Sequence, residues 1–185
     1  MPSHPRQLAL ALDHSESYAR EDFLCGSCNE AALGLINRWP DWPASAIALI
    51  GPEGAGKTHL ATMWAAAAGA RVVSGHALSE DGLRPALATG ALVVEDAAAS
   101  IDEPALFHLI NLARDERAYL LLTARTTPSR WPIVIPDVAS RLRAMPVVTL
   151  EAPDDTMLRA LIVKLATDRQ LALDETVVSY LLTHI

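Results

Sequence analysis

The sequence predicts an α/β fold: a five-stranded parallel sheet with helices on both faces, followed by a small helical unit. Five short apolar runs indicate buried strands, segments with helical periodicity separate them, and no strand pattern follows Pro153. Strands that alternate with helices form parallel sheets covered on both faces. The predicted strands are Ala46–Ile50, Arg71–Ser74, Ala91–Glu95, Tyr119–Thr123 and Val147–Leu150.

The helices divide the chain into three regions. We expect an N-terminal segment at 1–22, a nucleotide-binding core at 23–152 and the start of a helical lid at 153–185. The clearest helical pattern has Leu106, Phe107, Ile110 and Ala113 on one face. Proline after Trp39 ends the first helix, because proline lacks an N–H donor. The predicted helices are Glu30–Trp39, one that begins at Lys57, Glu103–Arg117, Asp154–Arg169 and Asp174–His184.

Composition restricts the environment and the partners. The chain has 185 residues, 51% of them hydrophobic and 20% charged, which suits one globular domain with a sizeable core. No apolar run is as long as a membrane span, and the N-terminus lacks the features of a signal peptide. We therefore expect a cytoplasmic protein without membrane contact. The formal net charge of −7 argues against direct non-specific DNA binding, so we expect DNA to be reached through a partner.

A phosphate-binding motif follows the first strand and opens a helix. The glycines allow backbone N–H groups to turn inward around phosphate oxygens, and the helix N-terminus adds partial positive charge. In this motif Lys57 reaches the β- and γ-phosphates and the Thr58 hydroxyl binds Mg²⁺. The sequence therefore predicts a P-loop that holds ATP or ADP. Its predicted nucleotide-contacting residues are Gly51, Pro52, Glu53, Gly54, Ala55, Gly56, Lys57, Thr58 and His59.

Two carboxylates end the third strand. In this class the first carboxylate, here Glu95, holds the shell of the Mg²⁺ ion, and the second, here Asp96, orients the attacking water. Many hydrolytic relatives carry Asp followed by Glu, so each side chain here differs by one methylene. Because catalysis depends on placement at the ångström level, we expect binding to survive and intrinsic hydrolysis to be slow.

Several ordered motifs resemble the DnaA family of AAA+ ATPases. They include Phe23 through Asn29, Gly56 through Leu60, the Glu95-Asp96 strand end and Phe107 through Asn111. Further matches are Thr123-Ala124-Arg125 and the stretch from Pro136 to Leu142, and together the motifs extend from Gln7 to Ile185. The resemblance implies an AAA+ core with strand order 5-1-4-3-2.

The resemblance also implies a role in replication. Regulators in this family bind ADP, associate with the β sliding clamp on DNA, and make DnaA hydrolyse its ATP. The arginine of the family's Ser-Arg-Leu motif, here Arg141, is an arginine finger that acts across a subunit interface, and Arg143 is a neighbouring alternative. Self-association through Arg141 would give a homo-oligomer.

Three further expectations come from the family pattern. The segment Gln7-Leu8-Ala9-Leu10-Ala11-Leu12 resembles a clamp-binding peptide, in which the Gln7 amide makes directional hydrogen bonds and Leu8, Leu10 and Leu12 supply apolar contacts. The family's γ-phosphate sensor after the fourth strand falls on Ala124, which leaves Thr123 or Arg125 for that role. The third lid helix of the family, with its nucleotide-contacting arginine, is expected to be missing.

Three other functions remain open on the sequence. A helicase loader or an initiator would need a basic face or a DNA-binding module, and a small-molecule kinase would need a substrate pocket and an arginine-rich lid. The pair Cys25 and Cys28 allows a redox or metal function. However, it precedes a P-loop domain instead of following a strand of its own domain, and one cysteine pair cannot complete a four-ligand zinc site.

Overall fold

The computed structural model describes residues 18–98 and 102–184. Its sheet has five parallel strands in the order β2-β3-β4-β1-β5, which confirms the predicted order. The strands are β1 Ala46–Ile50, β2 Arg71–Ser74, β3 Ala91–Glu95, β4 Tyr119–Ala124 and β5 Val147–Thr149. The helices are α1 Glu30–Asn37, α2 Lys57–Ala68, α3 Leu83–Leu87, α4 Glu103–Asp115, α5 Pro136–Ala144, α6 Asp155–Asp168 and α7 Glu175–His184.

Both faces of the sheet are buried, as its apolar strands require. Alternate side chains of a strand point to opposite faces, so Ala48 and Ile50 of β1 pack with α3, α4 and α5. Ile47 and Leu49 pack on the other face with α1 and α2. Because each face has its own core, strands β1, β3 and β4 are almost wholly inaccessible to solvent.

Two helices end earlier than the sequence suggests. Helix α1 stops at Asn37, two residues before the predicted end, and Trp39 precedes Pro40, which cannot donate the next helical hydrogen bond. Helix α4 stops at Asp115, and Arg117 adopts a left-handed conformation with φ 54°. Such a residue ends an α-helix by turning the chain out of its axis.

The Glu103 carboxylate connects the start of α4 to the residues that precede α5. Glu103, the first residue of α4, accepts hydrogen bonds from the backbone N–H groups of Val134, at 2.9 and 3.0 Å, and of Ile135, at 2.7 Å. These residues immediately precede α5, whose first N–H groups have no partner within the helix. Glu103 therefore fixes where α5 begins, and α5 carries Arg141.

The two C-terminal helices pack against each other beyond the sheet. Asp154 caps α6 by accepting a hydrogen bond of 2.8 Å from the Met157 N–H. In the part of the chain that the structure describes, no helix combines the length and the apolar character needed to cross a membrane.

We predict that Glu103→Ala lowers the free energy of unfolding by about 1–2 kcal/mol, because charge-assisted hydrogen bonds at a helix start are lost. Urea unfolding followed by circular dichroism measures this change. Glu116→Ala is the matched control: it removes a carboxylate just after α4 whose ion pair with Arg84 is 3.6 Å long and exposed. Its expected effect is below about 0.5 kcal/mol. Equal effects of the two substitutions would contradict the role of Glu103.

Candidate functional site

The P-loop leaves β1, which lies between β4 and β5, at the carboxyl end of the strand. Gly51 N–H donates to the Ala124 carbonyl of β4 at 3.2 Å, and a Cβ on Gly51 would lie 2.7 Å from the Leu150 carbonyl oxygen. Gly54 and Gly56 have φ values of 75° and 92°, which side chains with a Cβ rarely adopt. Gly56 is also the residue before α2, so the loop ends at the helix N-terminus. Each of these glycines is required by the backbone path.

Lys57 is a buried cation at the start of α2. Its side-chain ammonium donates to the carbonyl oxygens of Gly51, at 2.9 Å, and Pro52, at 2.6 Å. Burial lowers the pKa of Lys57, and the nearby Asp96 carboxylate opposes this shift. A buried ammonium whose hydrogen-bond partners are neutral carbonyls is well suited to an anionic ligand such as phosphate.

A cavity of about 400 Å³ opens beside the P-loop. The segment Tyr18–Asn29, which we call the strap, forms one wall, and Met157 and Leu161 of α6 lie on another. This volume is in the range of sites for small ligands. The lining residues are Tyr18, Asp22, Phe23, Leu24, Cys28, Asn29, Gly54, Ala55, Gly56, Lys57, Thr58, His59, Pro153, Met157 and Leu161.

The strap is held over α2 by specific contacts. A ring nitrogen of His59 lies 2.9 Å from the Ala19 carbonyl oxygen, and its ring packs edge-on against Tyr18 and Phe23, with centroids 5.5 and 5.1 Å away. Asn29, which is buried, accepts a hydrogen bond from Gly26 N–H and donates one to the Leu24 carbonyl, both at 2.9 Å. These contacts explain why the Phe23-x-x-Gly26-x-x-Asn29 pattern precedes the P-loop.

The carboxylates at the end of β3 have different environments. Glu95 is partly buried, and its Oε1 atom is buried without a hydrogen-bond partner. Asp96 is exposed and has φ 49°, an uncommon conformation for a residue with a Cβ, which is consistent with a functional position. Its N–H donates to the Thr123 hydroxyl at 3.1 Å. That bond ties the end of β3 to β4 and occupies the buried Thr123 side chain.

Arg125 follows β4 and contacts the P-loop. Its guanidinium is 2.8 Å from the Glu53 carboxylate, and both side chains are largely exposed. Arg125 and Asp96 also border a second cavity of about 410 Å³ at the carboxyl ends of the strands. The two candidate γ-phosphate sensors differ in accessibility. The Thr123 hydroxyl is buried and already accepts a hydrogen bond from Asp96, whereas the Arg125 guanidinium is exposed beside the P-loop.

Arg141 lies outside the residues that line either of these cavities. It is on α5, with its guanidinium carbon 5.6 Å from the centre of the Phe107 ring and an Nη atom 3.5 Å from Asp137. Its side chain is 26% exposed and its Nε is buried without a hydrogen-bond partner. The guanidinium of Arg141 is therefore held between Phe107 and Asp137, and it does not line the cavity beside the P-loop.

The residues of the site fit a nucleotide with Mg²⁺. The cradle, the buried Lys57 and the helix N-terminus suit phosphate, while Thr58 is exposed at the start of α2 and Glu95 has an unpaired oxygen. Magnesium bound to nucleotide needs one or two protein ligands and takes the rest from phosphate and water. Within residues 18–98 and 102–184, no group of three or more His, Cys, Asp or Glu side chains is arranged to hold a metal ion on its own.

The cysteine pair gives no support to the redox alternative. Both cysteines are free, with Cys25 exposed and Cys28 buried against the nucleotide cavity. Burial raises the pKa of the Cys28 thiol, which disfavours the thiolate that redox exchange needs.

The predicted clamp-binding residues Gln7, Leu8, Leu10 and Leu12 lie outside the described residues.

Solved structures share this fold. The chain is similar to the replication initiator DnaA bound to AMPPCP and single-stranded DNA, with 23% identity over 89% of this chain and a TM-score of 0.69. It is also similar to a DNA replication initiation factor (23%, 91%, TM-score 0.72) and to domain III of DnaA from Thermotoga maritima (20%, 89%, TM-score 0.69). No family model and no curated protein matches the sequence.

These similarities establish the fold, which this chain shares with the DnaA structures, domain III of the Thermotoga maritima protein among them. The chain spans 59% and 60% of the first two of these proteins and 80% of the isolated Thermotoga maritima domain.

We predict that Lys57→Ala abolishes ADP binding. ADP at 100 times its dissociation constant stabilises a binding protein by about 2.7 kcal/mol, so thermal unfolding with and without ADP measures the loss. Without ADP, the variant should be about as stable as the natural protein, because the lowered pKa of Lys57 means that its buried charge disfavours folding below that pKa. The free-energy cost of burying this charge disappears as the pH rises from the lowered pKa towards 10.5, the ordinary pKa of lysine.

Arg71→Ala is the control for this measurement. Arg71 is an exposed cation at the amino end of β2, the sheet edge opposite the P-loop. The control should keep the full response to ADP, and normal ADP binding by the Lys57→Ala variant would refute the site.

Proposed function

We propose that the chain is a DnaA-like replication ATPase that binds ADP or ATP with Mg²⁺. The observation that carries this proposal is the cavity in which a complete P-loop, the strap and α6 meet. Lys57 would hold the β- and γ-phosphates, with Thr58 and Glu95 at the Mg²⁺ ion. The bound metal and nucleotide would supply a polarised phosphoryl group, and these three residues of the chain would position it.

Within that class we propose an Hda-like regulator of replication initiation. Such a protein would bind ADP, associate with the β sliding clamp on DNA and stimulate hydrolysis of ATP bound to DnaA. Two features of the chain support this choice. Arg141 does not line the cavity beside the P-loop, and the net charge of −7 disfavours an independent DNA-binding role.

Arg141 has the properties that an arginine finger needs. A cation supplied in trans stabilises the charge on the transferring phosphoryl group, and it does so best when it is held in place beforehand. Phe107 and Asp137 hold the guanidinium of Arg141, and Glu103 fixes the start of its helix. We propose that this guanidinium reaches the nucleotide of DnaA in the complex, and that self-association can present it to a second copy instead.

The clamp contact is proposed from the sequence alone. Gln7, Leu8, Leu10 and Leu12 would bind the β sliding clamp as an extended peptide, and the strap connects this peptide to the nucleotide cavity. Through the clamp, the protein would meet DNA indirectly.

We predict that the protein accelerates hydrolysis of DnaA-bound ATP on clamp-loaded DNA and that Arg141→Ala removes this effect. An arginine finger is worth about 10³–10⁵ in kcat, so a loss of at least about 100-fold is expected in single-turnover assays. Arg143→Ala is the matched control, because Arg143 is an exposed arginine on the same helix. A variant at Arg141 that retains full stimulation would contradict the assignment.

We also predict that the protein alone hydrolyses ATP far below the range of about 1–10³ s⁻¹ typical of enzymes. The reason is the Glu95-Asp96 order, which places the shorter side chain where the water-orienting group is needed. The double substitution Glu95→Asp with Asp96→Glu should raise turnover, as measured by phosphate release. Brisk hydrolysis by the natural protein without the clamp would refute this prediction.

One alternative is a helicase-loader or initiator function with direct DNA contact. It is favoured by the similarity to a DnaA structure bound to single-stranded DNA. Retention on single-stranded DNA in the absence of the clamp, falling steeply as salt rises, would support this alternative over the regulator.

A further inference from the structure

An ion pair connects the two walls of the nucleotide cavity. The Lys164 ammonium of α6 donates to the Asp22 carboxylate of the strap at 2.7 Å, across 142 positions of sequence. It also donates to Asp168, one turn further along α6, at 2.7 Å. The pair with Asp168 holds the Lys164 side chain in place on its own helix. The pair with Asp22 joins the helix to the strap.

The chemistry of Lys164 suits a durable contact. Its side chain is 19% exposed and that of Asp22 is 27% exposed, so both are less accessible to water than most of the ion pairs on this surface. Hydrogen bonds to Asp168 and Asp22 raise the pKa of Lys164, which keeps the ammonium charged throughout the neutral range. Lys57 and Lys164 are the only lysines in the sequence, and the first lies in the P-loop itself.

Both partners are continuous with the cavity lining. Asp22 lines the cavity, and so does Leu161, which lies three residues before Lys164 on the same face of α6. At the start of α6, the Met157 methyl carbon lies 2.5 Å from where a Cβ on Gly26 would be, so helix and strap also touch there. Movement of α6 away from the strap would therefore open the cavity.

We propose that Lys164 and Asp22 form a latch that holds α6 against the strap and slows release of the bound nucleotide. This inference rests on the proposed function in one respect, that the cavity holds ADP or ATP. It assigns to the pair a positioning role, since the ammonium acts on the walls of the cavity and not on the phosphates.

A latch of this kind should have two measurable effects on nucleotide release. Opening the cavity must break the ion pair, so removing the pair raises the dissociation rate more than the association rate. Ion pairs at or near a protein surface are each worth up to about 1 kcal/mol, which corresponds to an acceleration of up to about 5-fold. Salt weakens the pair by screening, so release from the natural protein should also accelerate with ionic strength.

The test is displacement of a fluorescent ADP, carrying an N-methylanthraniloyl group, by excess ADP in stopped flow. Lys164→Met, Asp22→Asn and the double variant are compared with the natural full-length chain. Each single variant should release the probe about 2- to 5-fold faster. The double variant should be no faster than the faster single variant, because both changes remove one interaction. Raising NaCl should accelerate release from the natural protein more than from the Lys164→Met variant.

Two controls separate the latch from general loosening of the helices. Arg159→Met removes the ion pair between Arg159 of α6 and Glu175 of α7, which does not involve the strap. Asp168→Asn removes the partner of Lys164 on its own helix but leaves Asp22. Arg159→Met should release the probe at nearly the natural rate, whereas Asp168→Asn, which loosens Lys164 on its own helix, should accelerate release less than Asp22→Asn does. Circular dichroism should show that all variants are folded.

The outcomes distinguish the latch from the proposed function. Natural release rates in Lys164→Met and Asp22→Asn, or equal acceleration in the Arg159→Met control, overturn the latch and leave the nucleotide site intact. Failure of the natural protein to bind the probe or ADP overturns both proposals together. Faster release that is coupled between Lys164 and Asp22 supports the latch whether or not the protein stimulates DnaA.

Discussion

The position of β1 between β4 and β5 fixes where the P-loop lies, and the other walls of the cavity are built around that loop. The P-loop leaves the sheet where two neighbouring strands also end, and backbone hydrogen bonds hold it on both sides. Gly51 N–H bonds to Ala124 of β4, and Leu150 N–H bonds to Ile50 of β1 at 2.7 Å. The backbone of Leu150 comes so close that residue 51 has no room for a side chain. The phosphate cradle is thus anchored by the sheet itself, as expected for ligands at the carboxyl ends of parallel strands.

The cavity is completed by elements far apart in the sequence. The sheet supplies the cradle, the strap covers α2 through His59, and α6 contributes Met157 and Leu161. The sheet is held by two cores, whereas the strap and α6 are held by a few polar and aromatic contacts. Local stability follows the number of buried contacts, so the walls of the cavity open more easily than its floor. A site with a rigid phosphate cradle and weaker walls can bind tightly and still exchange its nucleotide.

The proposed function separates nucleotide binding from catalysis within this chain. The buried ammonium of Lys57 supplies a positive charge that suits phosphate, while the carboxylates of Glu95 and Asp96 differ in length from those of many hydrolytic relatives. Arg141 contacts Phe107 and Asp137 and does not line the cavity beside the P-loop. A protein of the proposed kind would keep its nucleotide as a structural ligand and offer Arg141 to the nucleotide of another subunit.

The strands of the sheet and the P-loop could be predicted from the sequence, because both depend on local patterns. Apolar runs flanked by turns mark β1 and β3 to the residue, and the glycine spacing before Lys57 defines the cradle. The strand order came from family resemblance, since periodicity carries no information about which strands are neighbours. Nothing in the sequence pattern indicates that His59 contacts the strap, that Thr123 bonds to Asp96, or that Lys164 reaches Asp22. Each of these contacts joins groups distant in sequence, and only the packed fold brings such groups within hydrogen-bonding distance.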